Sequence, residues 1–219
     1  MNVRKMGSLI VEDDSMAKTH HHSPAQRICG HVGIHIFHYS GRKGLADENR
    51  YAANSLCPEC DGVIREWFQQ PEPGFYKVNL PKLVSRTPSL ISWGNRVRIA
   101  QLRKLGPVMK QIASESESDP LAALTLQVLE MMFKIDSASF WVDVDKHTYG
   151  TYSLGWDVEA LIRGRETTTN PLGKTSVFGY WMSRNERVAK DAIEAAALLK
   201  PMLREYKRGS VVAEGASTT

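Results

Sequence analysis

All three cysteines of the chain fall in one short stretch, Cys29-Gly30-His31 and Cys57-Pro58-Glu59-Cys60, with His35 and His38 close by. Three thiolates and an imidazole are a ligand set for a tetrahedral zinc ion. The Cys-x-x-Cys half supplies two sulfurs from one tight turn that Pro58 helps to shape, and Cys29 with a histidine completes a Cys3His shell. Cys29 and His31 lie two apart, so on an extended segment they share a face; His35 shares it further along, and His38 does not. The expected metal ligands are therefore Cys29, His31, Cys57 and Cys60, with His35 as the alternative fourth ligand.

The same residues argue against a catalytic metal. A zinc deaminase needs a proton-shuttling glutamate two residues after its first ligand, and no glutamate follows Cys29 or any histidine at that spacing. His-Glu-x-x-His is absent, and four protein ligands leave no position for water. A redox Cys-x-x-Cys belongs at a helix start after a strand in a larger α/β setting, which this pattern does not show. Residues 170–175 end like a phosphate loop but lack its first glycine, and no serine sits in a nucleophile elbow. Asp143 and Asp145 read as solvated carboxylates. The expectation is a structural zinc in a protein that is not an enzyme.

These ligands need elements to carry them. Residues 28–39 alternate like a strand, Val32, Ile34 and Ile36 on one face and His31, Gly33, His35 and Phe37 on the other. A helix over 45–56 then delivers the chain to the cysteine pair, and residues 63–68 form one or two helical turns under Trp67 and Phe68. Pro71-Glu72-Pro73-Gly74 is the clearest linker signal. Beyond it, Thr87-Pro88 reads as N-cap and N1 of a helix that Gly106-Pro107 interrupts. Asp119-Pro120 opens a second helix, apolar over most of its surface and hence buried. Residues 140–144 read as a strand or an extended packing segment, and residues 149–152 with 177–181 as a hairpin. Ser183-Arg184-Asn185-Glu186 reads as the capping box of a last helix, kinked or broken at Pro201. The predicted class is α+β: a tail at 1–24, including the His20-His21-His22 run as a weak metal binder at most, a zinc-knuckle module at 25–70, a linker at 71–79, a mainly helical domain with a short hairpin at 80–208, and a tail at 209–219.

The totals narrow the setting. At 219 residues, 42% hydrophobic and 24% charged, the chain has the composition of a soluble protein with room for one medium or two small domains. No apolar run approaches the roughly 20 residues of a membrane span. The apolar patch at residues 8–11 is too short for a signal peptide and acidic residues follow it, so a cytoplasmic address is expected, with cysteines kept reduced for metal. A net charge of +4 and a pI near 8.9 are compatible with an anionic partner without demanding one.

The order of these elements resembles a group of uncharacterised bacterial proteins common on plasmids, prophages and integrative elements. In that group a zinc knuckle precedes a Leu-Pro-x-Leu segment, a Trp-Ala-x-x-Ile-Arg helix and a Trp-Trp-Ile-Asp-like element. Here the counterparts are Cys29-Gly30-His31 with Cys57-Pro58-Glu59-Cys60, then Leu80-Pro81-Lys82-Leu83, Trp93-Gly94-Asn95-Arg96-Val97-Arg98 and Phe140-Trp141-Val142-Asp143. Gly94 stands for the group's alanine and Phe140 for one tryptophan. The resemblance spans residues 28–145 and implies the two-part layout and the zinc ligands, but no activity.

Two functions are expected from these residues. The first is a zinc-binding accessory protein of a mobile element that binds nucleic acid or a nucleoprotein complex. Arg42 and Lys43 between the ligand pairs, and Arg96, Arg98, Arg103 and Lys104 on the helix, would contact the phosphate backbone; their alternative is a solvated helix face. The second is a phage- or plasmid-encoded inhibitor that binds a host protein complex through the aromatics of 149–156 and 178–181; their alternative is a second small core.

Overall fold

A tight turn between Arg27 and His31 folds the N-terminal residues into a hairpin. The computed structural model describes residues 19–69, 73–164 and 173–205. Strands β1 (Thr19–Gln26) and β2 (Val32–Tyr39) pair antiparallel, His20 opposite His38 and Gln26 opposite Val32. Residues 19–24, expected in a tail, thus belong to a strand. No hydrophobic run announces it, because β1 is selected by its partner: its inward residues alternate with exposed His20, His22, Pro24 and Gln26. The tails at 1–18 and 209–219, and residues 71 and 72 of the linker, lie outside the described residues.

Eight helices follow among the described residues: α1 (Gly41–Asn54), α2 (Pro58–Gln69), α3 (Pro88–Glu115), α4 (Pro120–Phe133), α5 (Ala138–His147), α6 (Thr151–Arg163), α7 (Val177–Arg184) and α8 (Glu186–Glu205). The class is α+β, with its hairpin at the front of the chain. Residues 140–144 lie in helix α5, not in a strand, and the segments expected as a hairpin do not pair: residues 149–152 lead into α6 and 177–181 lie in α7. Tertiary burial overrides the β preference here: Phe140, Trp141, Val142 and Val144 are all buried in α5.

Helix α3 runs for 28 residues straight through Gly106-Pro107. Pro107 removes one helical hydrogen bond, but buried Leu105, Val108, Met109 and Ile112 pack on either side of it and hold the axis. Gly106 has its own partner. The Phe75 ring occupies the place into which a Cβ would project, and the Gly106 carbonyl accepts the Tyr76 N–H. The expected linker is therefore laid across α3 from residue 75 onward, with Tyr76 and Val78 packed against the core. Helix α8 likewise continues through Pro201. The expected capping box at 183–186 does not form. Asn185 joins α7 to α8, and the Ser183 hydroxyl donates back to the Tyr180 carbonyl.

Asp119 does cap α4, accepting from the Leu121 and Ala122 N–H groups, and α4 is buried along most of its length. Around it one contiguous apolar core runs from Ile28, Cys29 and Cys57 through Trp67, Leu129 and Trp141 to Leu203. The knuckle and the helical region are thus not separately cored. Glu159 on α6 accepts the Leu56 N–H at 2.7 Å, and Arg163 donates to the Asn54 carbonyl.

The three elements that follow the knuckle in the resemblance meet in space. Val84 bridges to the start of α5, Arg98 donates to the Pro81 carbonyl, and Gly94 sits at the crossing of α3 with α5. A Cβ at Gly94 would lie 3.0 Å from the Ala138 carbonyl oxygen and 3.1 Å from its Cα. Those are backbone atoms at the head of a helix and give little. Gly94→Ala gains about 1 kcal/mol of helix propensity, while forcing the crossing apart costs about 1–3 kcal/mol. A net loss on the order of 1 kcal/mol is expected, read as a lowered midpoint in denaturant with unchanged slope.

Candidate metal centre

The ligands come from two turns that the backbone holds side by side. In the first, Gly30 donates to the Arg27 carbonyl and Arg27 to the His31 carbonyl, both at 2.9 Å. Gly30 has φ +84°, a left-handed conformation that glycine adopts without strain. Cys29 and His31 therefore converge through a turn, not through strand alternation. Space also favours glycine at 30, because the Arg204 side chain of α8 fills the place where a Cβ would be. The second turn is the head of α2: Pro58 is its first residue, Asp61 donates to the Cys57 carbonyl, and the Cys60 N–H points at the Cys57 sulfur at 3.4 Å. The two turns are tied by Ile28 N–H on the Ser55 carbonyl and by the Arg27 guanidinium on the Ser55 hydroxyl at 2.7 Å.

One ligand atom each from Cys29, His31, Cys57 and Cys60 lie within 4.8 Å of one another. His31 Nδ1 is 3.5 Å from Cys57 Sγ and 3.4 Å from Cys60 Sγ. A tetrahedron with metal–sulfur bonds of about 2.3 Å and metal–nitrogen bonds of about 2.0–2.1 Å has sulfur–nitrogen edges of about 3.5 Å. The spacing fits a metal at the centre. All three cysteines are buried and free, so the thiols form no disulfide.

Electrostatics argue the same way. Hydrogen bonds from Cys57 and Cys60 hold the Cys29 sulfur as a thiolate, its pKa lowered to about 3. Cys60 is pushed far up instead, first because it holds a proton for Cys29, then by Cys57 and burial. Cys29 and Cys60 move in opposite directions because bare thiolates this close would repel. A divalent cation at the centre reverses that balance and admits all three as thiolates.

His35, the alternative fourth ligand, is engaged elsewhere. Arg27 donates to its Nδ1 at 2.9 Å, which leaves Nε2 protonated and donating to Glu48 at 3.1 Å. His38 pairs with His20. The Cys-x-x-Cys does sit at a helix start, but it follows helix α1 and not a strand, so the redox setting is still missing. The third thiol and the imidazole at bonding range argue against redox chemistry too.

The basic residues divide. Arg42 and Lys43 are exposed in the first turn of α1, and Arg96, Arg103 and Lys104 are exposed on α3. Arg98 is not available: it is 6% exposed and donates to the Pro81 carbonyl and the Asn95 side chain. Its place at 3.6-residue spacing among Gly94, Val97 and Leu105 on the buried face is the signal that marks it. Lys110, exposed and two heptads from Arg96, belongs with the α3 group although the sequence expectation passed over it. Among the aromatics, Tyr149 and Phe178 are core, while Tyr152 and Trp156 are 62% and 63% exposed on one face of α6. No helix among the described residues is long and apolar enough to cross a membrane. Comparison with family models, with curated proteins and with solved structures gave no match.

Proposed function

We propose that the chain is a small zinc-folded accessory protein that binds nucleic acid, with the Cys3His cluster as scaffold and α3 as the contact surface. The zinc assignment rests on the donor set: three thiolates with one imidazole at tetrahedral spacing suit a borderline-soft ion without geometric preference. Four protein ligands close the shell, so its role is to fold the hairpin onto α2.

The observation that carries the binding reading is the charge pattern of α3. From residue 88 to residue 114 the chain has Arg96, Arg98, Arg103, Lys104 and Lys110 and no acidic residue. Solvated helix faces ordinarily interleave both signs, with i, i+4 pairs between them. Here Arg96, Arg103 and Lys110 recur every seven residues along one exposed line, and none of them joins an ion pair among the described residues. A line of uncompensated cations fits a phosphate backbone. Arg42 and Lys43 add cations at the head of α1, where the helix dipole disfavours them. A polyanion there would offset that repulsion.

A gel shift on unrelated DNA and RNA across a salt series tests the proposal. Binding should weaken as salt rises, and Arg103→Ala should lower the log–log salt slope by about one, the share of a single phosphate contact. Absence of binding at low salt overturns it. The exposed Tyr152 and Trp156, with the Arg65 guanidinium 4.9 Å over the Tyr152 ring, favour a protein partner as the second reading. A stoichiometric protein that copurifies after nuclease treatment, and is absent with Trp156→Ala, would replace the first reading with this one.

A further inference from the structure

The structure holds a second pair of converging ligand atoms, at the open end of the hairpin. His20 and His38 are direct cross-strand partners, both exposed, and their Nδ1 atoms lie 2.6 Å apart with the rings edge to face. The two nitrogens are within hydrogen-bond distance, with the tautomer deciding which of them donates. They also define a bidentate site. In a square-planar or tetragonal shell with bonds of about 2.0 Å, neighbouring nitrogens sit about 2.8 Å apart, whereas a tetrahedral ion would need about 3.3 Å. We infer that His20 and His38 form a solvent-facing site for a tetragonal divalent cation of the copper(II) class, separate from the cysteine cluster.

The neighbours leave the pair free to act. His21 points to the other face, stacked on Phe37 with centroids 4.6 Å apart, and His22 stands opposite Ile36. No group of three or more His, Cys, Asp or Glu ligand atoms converges here among the described residues, so two nitrogens come from the protein and the remaining positions are open to water. Placed one pair in from the open ends of β1 and β2, a bound ion would clip the strands together far from the turn at Gly30. Closing a loop in this way stabilises a hairpin that has only two strands.

The test uses the full chain with its cysteine cluster loaded with zinc, so that the thiolates are occupied. One equivalent of copper(II) is added, and the electron paramagnetic resonance spectrum is read for coupling to nitrogen. The expected result is a tetragonal signal with two equivalent imidazole nitrogens. His20→Ala and His38→Ala should each weaken copper binding by at least about tenfold, no less than the loss of a group supporting a ligand costs. His21→Ala should leave both signal and affinity unchanged. A spectrum without nitrogen coupling, or one that persists unchanged in His20→Ala and His38→Ala, overturns the assignment. Because all three substitutions lie on the hairpin while the zinc content is measured separately, failure here leaves the cysteine cluster untouched.

Discussion

Cys57→Ser is expected to abolish metal binding and to unfold the hairpin and α1 while helices α3–α8 stay folded. In the proposed site Cys57 is both a ligand and the residue that heads α2, where its sulfur faces the Cys60 N–H. The serine hydroxyl is a poor zinc ligand, and the two remaining thiols and His31 would hold an ion weakly. Apparent binding energies of structural zinc sites are about 10–16 kcal/mol, as large as the whole stability of a typical domain, about 5–15 kcal/mol. The part that depends on the site is identifiable. Helix α1 packs on β1 and β2, and Ala52, Phe37 and Leu45 between them form too small a core to stand alone. Helices α3–α8 carry most of the buried residues and contact one another extensively.

Metal content per chain should fall from one zinc to near none, and hydrogen exchange should lose protection over residues 19–57 only. His31→Ala should behave likewise. His35→Ala should keep the metal, because His35 serves Arg27 and Glu48 instead. A Cys57→Ser protein that retains zinc and hairpin protection would remove the structural role from the cluster.

That site was legible in the chain because cysteine and histidine declare their chemistry by type, and ligand turns have short fixed spacings. Its geometry was less so. The convergence of Cys29 with His31 depends on the left-handed Gly30 and on the room that glycine leaves for Arg204, a residue of the last helix that no local pattern connects to it. Helix α5 shows the complementary failure. Its Phe-Trp-Val-x-Val run has strand propensity, yet its head is held by the Val84 bridge and against Gly94 of α3, and its body is buried in the core. Gly106-Pro107 failed as a breaker for the same reason, since packing on both sides outweighs one missing hydrogen bond. The α4 helix, by contrast, was plain from its Asp119-Pro120 cap and its nearly continuous apolar surface. Local rules held where an element is specified by its own residues and failed where a distant one selects it.

The second large effect is expected at Asp157, a residue to which no motif draws attention. It lies 1% exposed on α6 and receives four donors: the Tyr149 hydroxyl at 3.0 Å, the Ser176 hydroxyl, and the Val177 and Phe178 N–H groups at 2.9 and 3.1 Å. Two of those donors are the first free N–H groups of α7, so a carboxylate from another helix caps α7 and fastens it to α6. Asp157→Asn keeps the shape but turns one acceptor into a donor facing donors. Leaving buried donors unpaired costs about 1–3 kcal/mol each, so a loss of about 3 kcal/mol is expected. For a chain of this size that lowers the unfolding midpoint by about 6–12 °C.

The pH dependence carries a sign. Burial pushes the Asp157 pKa up, and its four donors offset that only in part. An acid whose folded pKa lies above its unfolded value binds more protons when folded. Its contribution to stability is therefore fully present below the unfolded value, about 3.9, and declines as pH rises through the folded one. The wild type should lose stability over that window, and Asp157→Asn should lack this component. Chemical unfolding of both proteins at a series of pH values checks it. Equal stability of the two at neutral pH would mean that α7 is held by its apolar contacts, Val177 and Phe178, without the carboxylate.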